Sequence, residues 1–387
     1  MRRRSLLLAA CAAGLNLRAE ARRYRAAVIG HTRRGNYGHG LDVVWKAVGL
    51  EVAAVADPDE AGRAKAMERS GAKRGYSDYR RMLDKERPDL VSIGPRWMDE
   101  RVAMVTAAAE SGAHIYLEKP FAPDLEGADR MVEVVRRNKV KLQLAHQMRC
   151  SPFVRSVQEF VGRGDIGTIH ELRGRGKEDH RAGGEDLTVL GSHICDVFRI
   201  FLGDPRWVAA HVTQDGAELD RRHVTRPTES VGPVAGNQIA AMFAFENGLH
   251  AYFASRAADT THPLRFATQI IGTKGVVFLP NAIYPEGQPY LLRDASWFPD
   301  RKSQWETIPR QEDPAAMAKI HGGGVDIANG LMALDLLDAI EKNRKPACSE
   351  EDGRWTTEMI TGIYQAQIGG DRVSFPLRDR RHPLSRL

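Results

Sequence analysis

Glutamate, lysine and proline stand together at Glu118-Lys119-Pro120, directly after the short apolar run Ile115-Tyr116-Leu117. Such a run reads as a β-strand, and the residue that follows lies at the strand's C-terminal end, the edge where ligands bind in an open α/β sheet. A lysine ammonium held there beside a carbinol would polarise its oxygen and favour the alkoxide near neutral pH. Glu118 either takes part or only anchors the turn. A second group lies at Gly183-Gly184-Glu185-Asp186-Leu187-Thr188-Val189-Leu190-Gly191-Ser192-His193-Ile194-Cys195-Asp196. On a continuous helix at about 100° per residue, Asp186, Val189, His193 and Asp196 share one face. An imidazole titrates near neutrality, which suits His193 to general-base work; Asp186 would be either its orienting partner or a helix cap. Just upstream, Lys177-Glu178-Asp179-His180-Arg181 is either the polar lining of a substrate pocket, with Lys177 and His180 in contact, or a solvated loop. Arg149 is a further polar candidate. No metal-ligand triad at recognisable spacing and no G-x-S-x-G elbow occurs, so metal and serine-hydrolase chemistry are not expected.

These groups need elements to position them. From Tyr24 to His146, short β-rich runs alternate with helical periodicity: strands at 26–30, 52–56, 90–93, 115–117 and 141–145, helices at 41–47, 60–70, 100–111 and 125–138. Strands separated by helices imply a parallel sheet wound in one hand, an α/β Rossmann domain over 22–146. The first strand runs into Gly30-His31-Thr32-Arg33-Arg34-Gly35-Asn36-Tyr37-Gly38. Gly30 and Gly35 meet the G-x-G-x-x-G spacing, while Thr32 stands where the middle glycine lets a pyrophosphate approach. Either the Thr32 hydroxyl donates to a phosphate, or Gly38 takes over the close approach. Asp57, at the end of the second strand, is either the acceptor of both ribose hydroxyls of NAD or part of the next helix's N-terminal turn.

After Ser151-Pro152 the pattern changes to an α+β domain, 147–387, on a mostly antiparallel sheet: strands at 169–174, 208–213, 239–245, 249–255, 266–271 and 276–279, with Glu246-Asn247-Gly248 and Gly272-Thr273-Lys274-Gly275 as turns. Helices are expected at 186–202, 325–342 and 349–367, the last with Ser349 as its N-cap. Lys119 and His193 fall in different domains, so the chemistry belongs in the cleft between them. An exposed face of the second sheet would suit a homo-oligomer.

The Glu-Lys-Pro after a Rossmann strand, together with Gly191, His193 and Asp196 of the pattern D-x-G-x-H-x-x-D, resembles the family that groups glucose-fructose oxidoreductase, inositol dehydrogenase and MocA. The resemblance implies NAD as cofactor, bound by Gly30, Thr32, Gly35, Asp57, Pro95, Glu118 and Lys119. It implies catalysis by Lys119 and His193, with a carbohydrate or polyol held by Lys119, Arg149, Lys177, His180, His193 and Asp196. Val189 stands where the family has its first aspartate, with Asp186 one turn earlier as a substitute, and Asp99 stands where the loop after the strand at 90–93 usually carries histidine. The expected activity is NAD-dependent oxidation of a sugar, sugar derivative or polyol. Two other outcomes are compatible with the motifs: glycoside cleavage through transient oxidation, which needs a leaving-group acid from Glu178, Asp179 or His180, and an NAD-binding protein without turnover.

Composition narrows the classes. The chain has 387 residues, 42% hydrophobic and 27% charged, enough for two cores. Of the formal charge of +6, half comes from four arginines against one glutamate in residues 1–21, and the remainder is too dilute for nucleic acid. That segment reads as a twin-arginine-like export signal, with Arg2-Arg3-Arg4, an apolar stretch to Leu17 and Ala19-Glu20-Ala21, and so as a periplasmic or otherwise exported protein; Cys11 offers a lipoprotein alternative. No stretch has the length to span a bilayer.

Overall fold

The computed structural model describes residues 24–257 and 265–387, so the proposed export signal lies outside the described residues. The first sheet contains β1 (Arg25–Ile29), β2 (Glu51–Ala56), β3 (Arg74–Tyr76), β4 (Leu90–Ile93), β5 (His114–Leu117) and β6 (Leu142–Leu144), all parallel, in the order β3-β2-β1-β4-β5-β6. Both faces are covered, which is why β1, β2, β4 and β5 read as nearly unbroken apolar runs. The connecting helices are α1 (Val44–Ala47), α2 (Glu60–Ser70), α3 (Tyr79–Glu86), α4 (Arg101–Glu110) and α5 (Leu125–Arg137). Side chains of Asp59, Asp78 and Asp124 cap α2, α3 and α5 by accepting from N–H groups in their first turns. The strand order reverses beside β1, and the crevice this opens lies between the ends of β1 and β4. β3 and α3 were not expected, because three residues Arg-Gly-Tyr carry no alternation to read.

After α6 (Pro152–Gly162) comes the larger sheet, ten strands in mixed but mostly antiparallel pairing. Its central strand β7 (Ile169–Arg175) pairs parallel with 250–256 and antiparallel with 267–272, and the hairpins 238–244/250–256 and 267–272/276–280 flank it. One face packs on helices. Gly174 is bare because Ile194 and Phe198 occupy its Cβ space. Across this face the expected helix 186–202 is two pieces, α7 (Gly184–Val189) and α8 (Gly191–Leu202), broken at Leu190.

The chain then returns to the first layer. After α9 (Pro314–Met317), helix α10 (Val325–Glu341) buries Met332, Ala333 and Leu336 in the core of the first sheet, and Leu144 N–H donates to Cys348 C=O. Residues 325–348 thus pack with the dinucleotide layer, across the expected boundary after 146. Helix α11 (Glu350–Gly369) starts at the anticipated N-cap Ser349, which forms a capping box with Asp352, and packs against both layers.

Candidate active site

Lys119 leaves β5 through the turn Glu118-Lys119-Pro120, and every part of that turn is fixed. Glu118 is fully buried; its carboxylate accepts from His39 N–H at 2.9 Å and meets His39 Nδ1 at 3.1 Å. Burial alone would raise its pKa, but His39 and Lys119 hold it down, to about 2. Gly38, in the left-handed region at φ 61°, must be glycine because a Cβ there would lie 2.1 Å from Glu118 Oε2. From beneath, the buried guanidinium of Arg101 donates to the carbonyls of Glu118 and Pro120, to Pro95 at 2.6 Å and to Arg96 at 3.3 Å. One side chain therefore ties the loop after β4 to the lysine turn. Lys119 itself is 4% exposed, and its Nζ donates to Val189 C=O at 3.3 Å. Removal from water lowers its pKa below the ordinary lysine value, against the pull of Glu118 and Glu229.

In the turn after β1, Thr32 and Gly38 both have protein neighbours. Thr32 Oγ1 donates to Asp57 Oδ2 at 2.7 Å, so it faces the acid and not a phosphate; the close approach at Gly38 is to Glu118. Asp57 is wholly buried: Oδ2 also accepts from Thr32 N–H at 3.0 Å and Tyr37 OH at 2.8 Å, and Oδ1 from Asp59 N–H at 2.9 Å. Oδ2 is thus engaged in holding the turn, a role the ribose expectation did not include, while Oδ1 accepts a single hydrogen bond. Asp57 anchors the turn, with Tyr37 laid over Gly30, whose missing Cβ makes room for the ring. Gly35, at φ 82°, lets the turn lie against Arg96, and Arg34 reaches Asp99, the residue in place of the family histidine. Two buried polar atoms beside this turn, His31 Nδ1 and Arg96 Nε, have no hydrogen-bond partner. These unfilled groups at the sheet's crevice fit an anionic dinucleotide, with Gly35, Pro95, Arg96 and the Glu118-Lys119 turn around it.

On the opposite wall, α8 presents His193, whose pKa is pushed well below the ordinary histidine value by withdrawal from water, aided by His146 and Lys119. His146, beyond β6 and completely buried, packs its ring 4.9 Å from that of His193. Behind it lies Asp196, 3.7 Å from His146 Nδ1 and gripped by Arg149 through three contacts of 2.8–3.0 Å. The Arg149 and Asp196 expected at the substrate are therefore a buried support for the imidazole pair. His146, Asp196 and Cys348 bring ligand-type atoms within 4.8 Å, but the Arg149 guanidinium occupies both Asp196 oxygens, which disfavours a cation there. Asp186 does not orient His193: its carboxylate accepts from Ser255 Oγ at 2.6 Å and from Lys177 and Glu178 N–H at 3.1 Å, anchoring the loop before α7. Seven residues are two helical turns, ~10 Å along the axis, so Asp186 lies too far from the imidazole to orient it.

Lys119 and His193 face one another across a cleft of 780 Å³ between the domains, also lined by His39, Arg96, Lys177, Arg181 and Glu229. Lys177 thus reaches the cleft as expected. His180 does not; its side chain is 74% exposed. The three candidate leaving-group acids fail likewise: Glu178 is tied to Arg175, Arg265 and Arg256 N–H, and the Arg181 fork lowers the Asp179 pKa and keeps it ionised. Arg96, Arg101, His146 and Glu229 were not found in the sequence, whereas Arg181 belongs to the 177–181 cluster read there as a candidate pocket lining. Only His39, next to the glycine turn, carried a positional hint.

Comparison with known proteins agrees with this geometry. A family model described as "Oxidoreductase family, NAD-binding Rossmann fold" matches residues 24–146, and the C-terminal domain of the same GFO/IDH/MocA group matches 154–278. The chain belongs to this family. It is 28% identical over 233 residues to levoglucosan dehydrogenase of Pseudarthrobacter phenanthrenivorans, covering 53% of this chain and 58% of that protein. With scyllo-inositol 2-dehydrogenase (NAD(+)) of Bacillus subtilis it shares 27% over 264 residues, covering 66% and 73%. An NAD binding oxidoreductase from Klebsiella pneumoniae superposes with a TM-score of 0.74 at 21% identity, over 92% of this chain and 100% of that one. The GFO/IDH/MocA member described here is accordingly an NAD-binding oxidoreductase.

Proposed function

We propose that the protein oxidises a secondary hydroxyl of a sugar, sugar derivative or polyol. The observation that carries this reading is the meeting of Lys119, from the nucleotide layer, with His193, from the other domain, on opposite walls of one cleft. His193, held neutral, accepts the hydroxyl proton, and Lys119 donates to the carbinol oxygen as its charge grows. The nicotinamide, when bound, supplies the hydride acceptor. Val189 contributes its carbonyl, which aims Lys119 without a side-chain acid. Relatives named for levoglucosan and scyllo-inositol support the substrate class.

The reading extends to an exported enzyme that keeps its cofactor through a redox-neutral cycle, since the leader resembles a twin-arginine signal and a nicotinamide pool is not expected outside the cytoplasm. Self-association through the open sheet face is part of it: Tyr252, Tyr290 and Trp305 are exposed there, beside a shallow 660 Å³ depression lined by Arg173, Gln269 and Phe278. The test is a panel of free sugars, polyols and aryl glycosides incubated with the purified protein, with and without added NAD, while reduced nicotinamide and bound cofactor are measured. Oxidation of a sugar or polyol supports the proposal; release of the aryl group without net oxidation would replace it with the glycosidase reading.

A further inference from the structure

Glu229 was not expected at the site, and nothing in its local sequence marks it. Its segment is a strap from the second domain laid on the first. Met98 N–H donates to Ser230 C=O at 2.8 Å, Val231 is buried in a small apolar cluster with Met98, Val189, Leu190 and Val234, and Thr228 binds the Glu185 carboxylate through its N–H, at 3.0 and 3.1 Å, and its hydroxyl. Fixed on both sides, residue 229 projects into the cleft that Lys119 and His193 line.

The Glu229 carboxylate is only 13% exposed, and it is not satisfied. Arg96 Nη1 and Arg181 Nη1 stand 3.7 and 3.8 Å away, too far for hydrogen bonds, and no other hydrogen bond reaches its side chain among the described residues. The two guanidiniums are themselves incompletely used. Arg96, whose Nη1 faces the carboxylate, gives no side-chain hydrogen bond among the described residues, and Arg181 gives Nε and Nη2 to Asp179, at 3.0 and 2.6 Å, which leaves Nη1 facing the gap. A carboxylate offers about four lone-pair sites and a guanidinium five donors. Acceptor and donors with unfilled valences, set side by side on the cleft wall, match adjacent hydroxyls, each of which donates one hydrogen bond and accepts another.

We infer that Arg96, Glu229 and Arg181 form a clamp for a vicinal diol of the substrate, Glu229 accepting from the hydroxyls and the flanking guanidiniums donating to their oxygens. This rests on the proposed oxidation of a sugar or polyol and adds which part of the molecule is recognised. Discrimination follows from the same burial: an analogue lacking a clamped hydroxyl leaves the largely buried carboxylate without that partner.

A cycle between enzyme and substrate tests it. Wild type and Glu229→Gln are assayed with the best panel substrate and with its monodeoxy derivatives at the positions flanking the oxidised carbon. The clamp predicts that Glu229→Gln lowers kcat/KM for the parent about tenfold or more, with most of the loss in KM, as for a hydrogen bond to a charged group. For the derivative that lacks the clamped hydroxyl, the two enzymes become equal. An equal penalty on the parent and every derivative would make Glu229 a bridge between domains and overturn the inference, as would no penalty at all. NADH titration and thermal melting of the variant separate misfolding from lost recognition. If wild type turns over no panel member, the oxidation proposal fails, and the same cycle is read from calorimetric binding of the sugars to the NADH complex.

Discussion

Replacing Arg101 with methionine removes the charge from the centre of the site without opening a large void. The guanidinium serves four carbonyl oxygens, those of Glu118, Pro120, Pro95 and Arg96, and the ionised Glu118 lies close enough to support its charge. Burial lowers its pKa to about 10, which leaves it charged at neutral pH. Its loss strands several buried carbonyls at ~1–3 kcal/mol each. These costs are not additive, and the loss of one partner from a buried ionic group sets the scale at ~3–5 kcal/mol. For a chain of this size, at roughly 2 °C per kcal/mol, the melting temperature should fall by roughly 6–10 °C. The lysine turn and the Pro95 loop also lose their common tether, and a displacement of about 1 Å at Lys119 costs on the order of a hundredfold in turnover. Arg101→Lys keeps the charge but cannot span four acceptors with a planar fork, so it should recover part of the stability and little of the rate. Thermal unfolding followed by circular dichroism, with kcat measured on the same preparations, decides it. A methionine variant that melts with the wild type and turns over normally would refute the clamp.

Lys119→Met and His193→Ala should each cut turnover by roughly a hundredfold or more, with NADH affinity, read by fluorescence titration, largely kept. Because Asp57 is taken up by Thr32, Tyr37 and Asp59, Asp57→Ala should weaken NAD(H) and NADP(H) to a similar degree by loosening the turn; calorimetry that finds a selective gain for NADP(H) would return Asp57 to ribose recognition. The folded-state pKa of His193 lies below its unfolded value, so the unfolded chain takes up a proton first as pH falls through about 6.5, and stability must decline there. Melting curves between neutral and mildly acidic pH should show that slope in wild type and a smaller one in His193→Gln, whereas the depressed Asp196 carboxyl adds its own loss only below its ordinary carboxylate range.

Much of this architecture was legible because periodicity and order are local properties. The alternation from 24 to 146 gave β1, β2, β4, β5 and β6 with their helices, and the motif residues Lys119 and His193 do reach one cleft. What escaped the sequence depends on contacts between distant segments. Arg101 looks like any helix-terminal arginine until the turns it joins are brought above it. His146 and Glu229 acquire a role only from Asp196 and Arg149 behind the first, and from the strap around the second. The Asp186 expectation failed for a narrower reason, since residues that share a helical face two turns apart are still ~10 Å from one another, and the Asp186 carboxylate is taken by Ser255 and the loop before α7. Asp57 was located correctly at the end of β2, but the hydrogen bonds that engage its Oδ2 come from Thr32 and Tyr37, whose direction no spacing rule gives.

The central claim is direct oxidation of a carbinol in the Lys119–His193 cleft. It is tested by turning over a sugar or polyol carrying deuterium on the carbon to be oxidised and weighing the reduced nicotinamide recovered from the protein. The account predicts one deuterium transferred to the cofactor, a primary isotope effect on turnover, and loss of transfer in Lys119→Met. Product formed with no deuterium in the nicotinamide, or undiminished transfer in the variant, would contradict it.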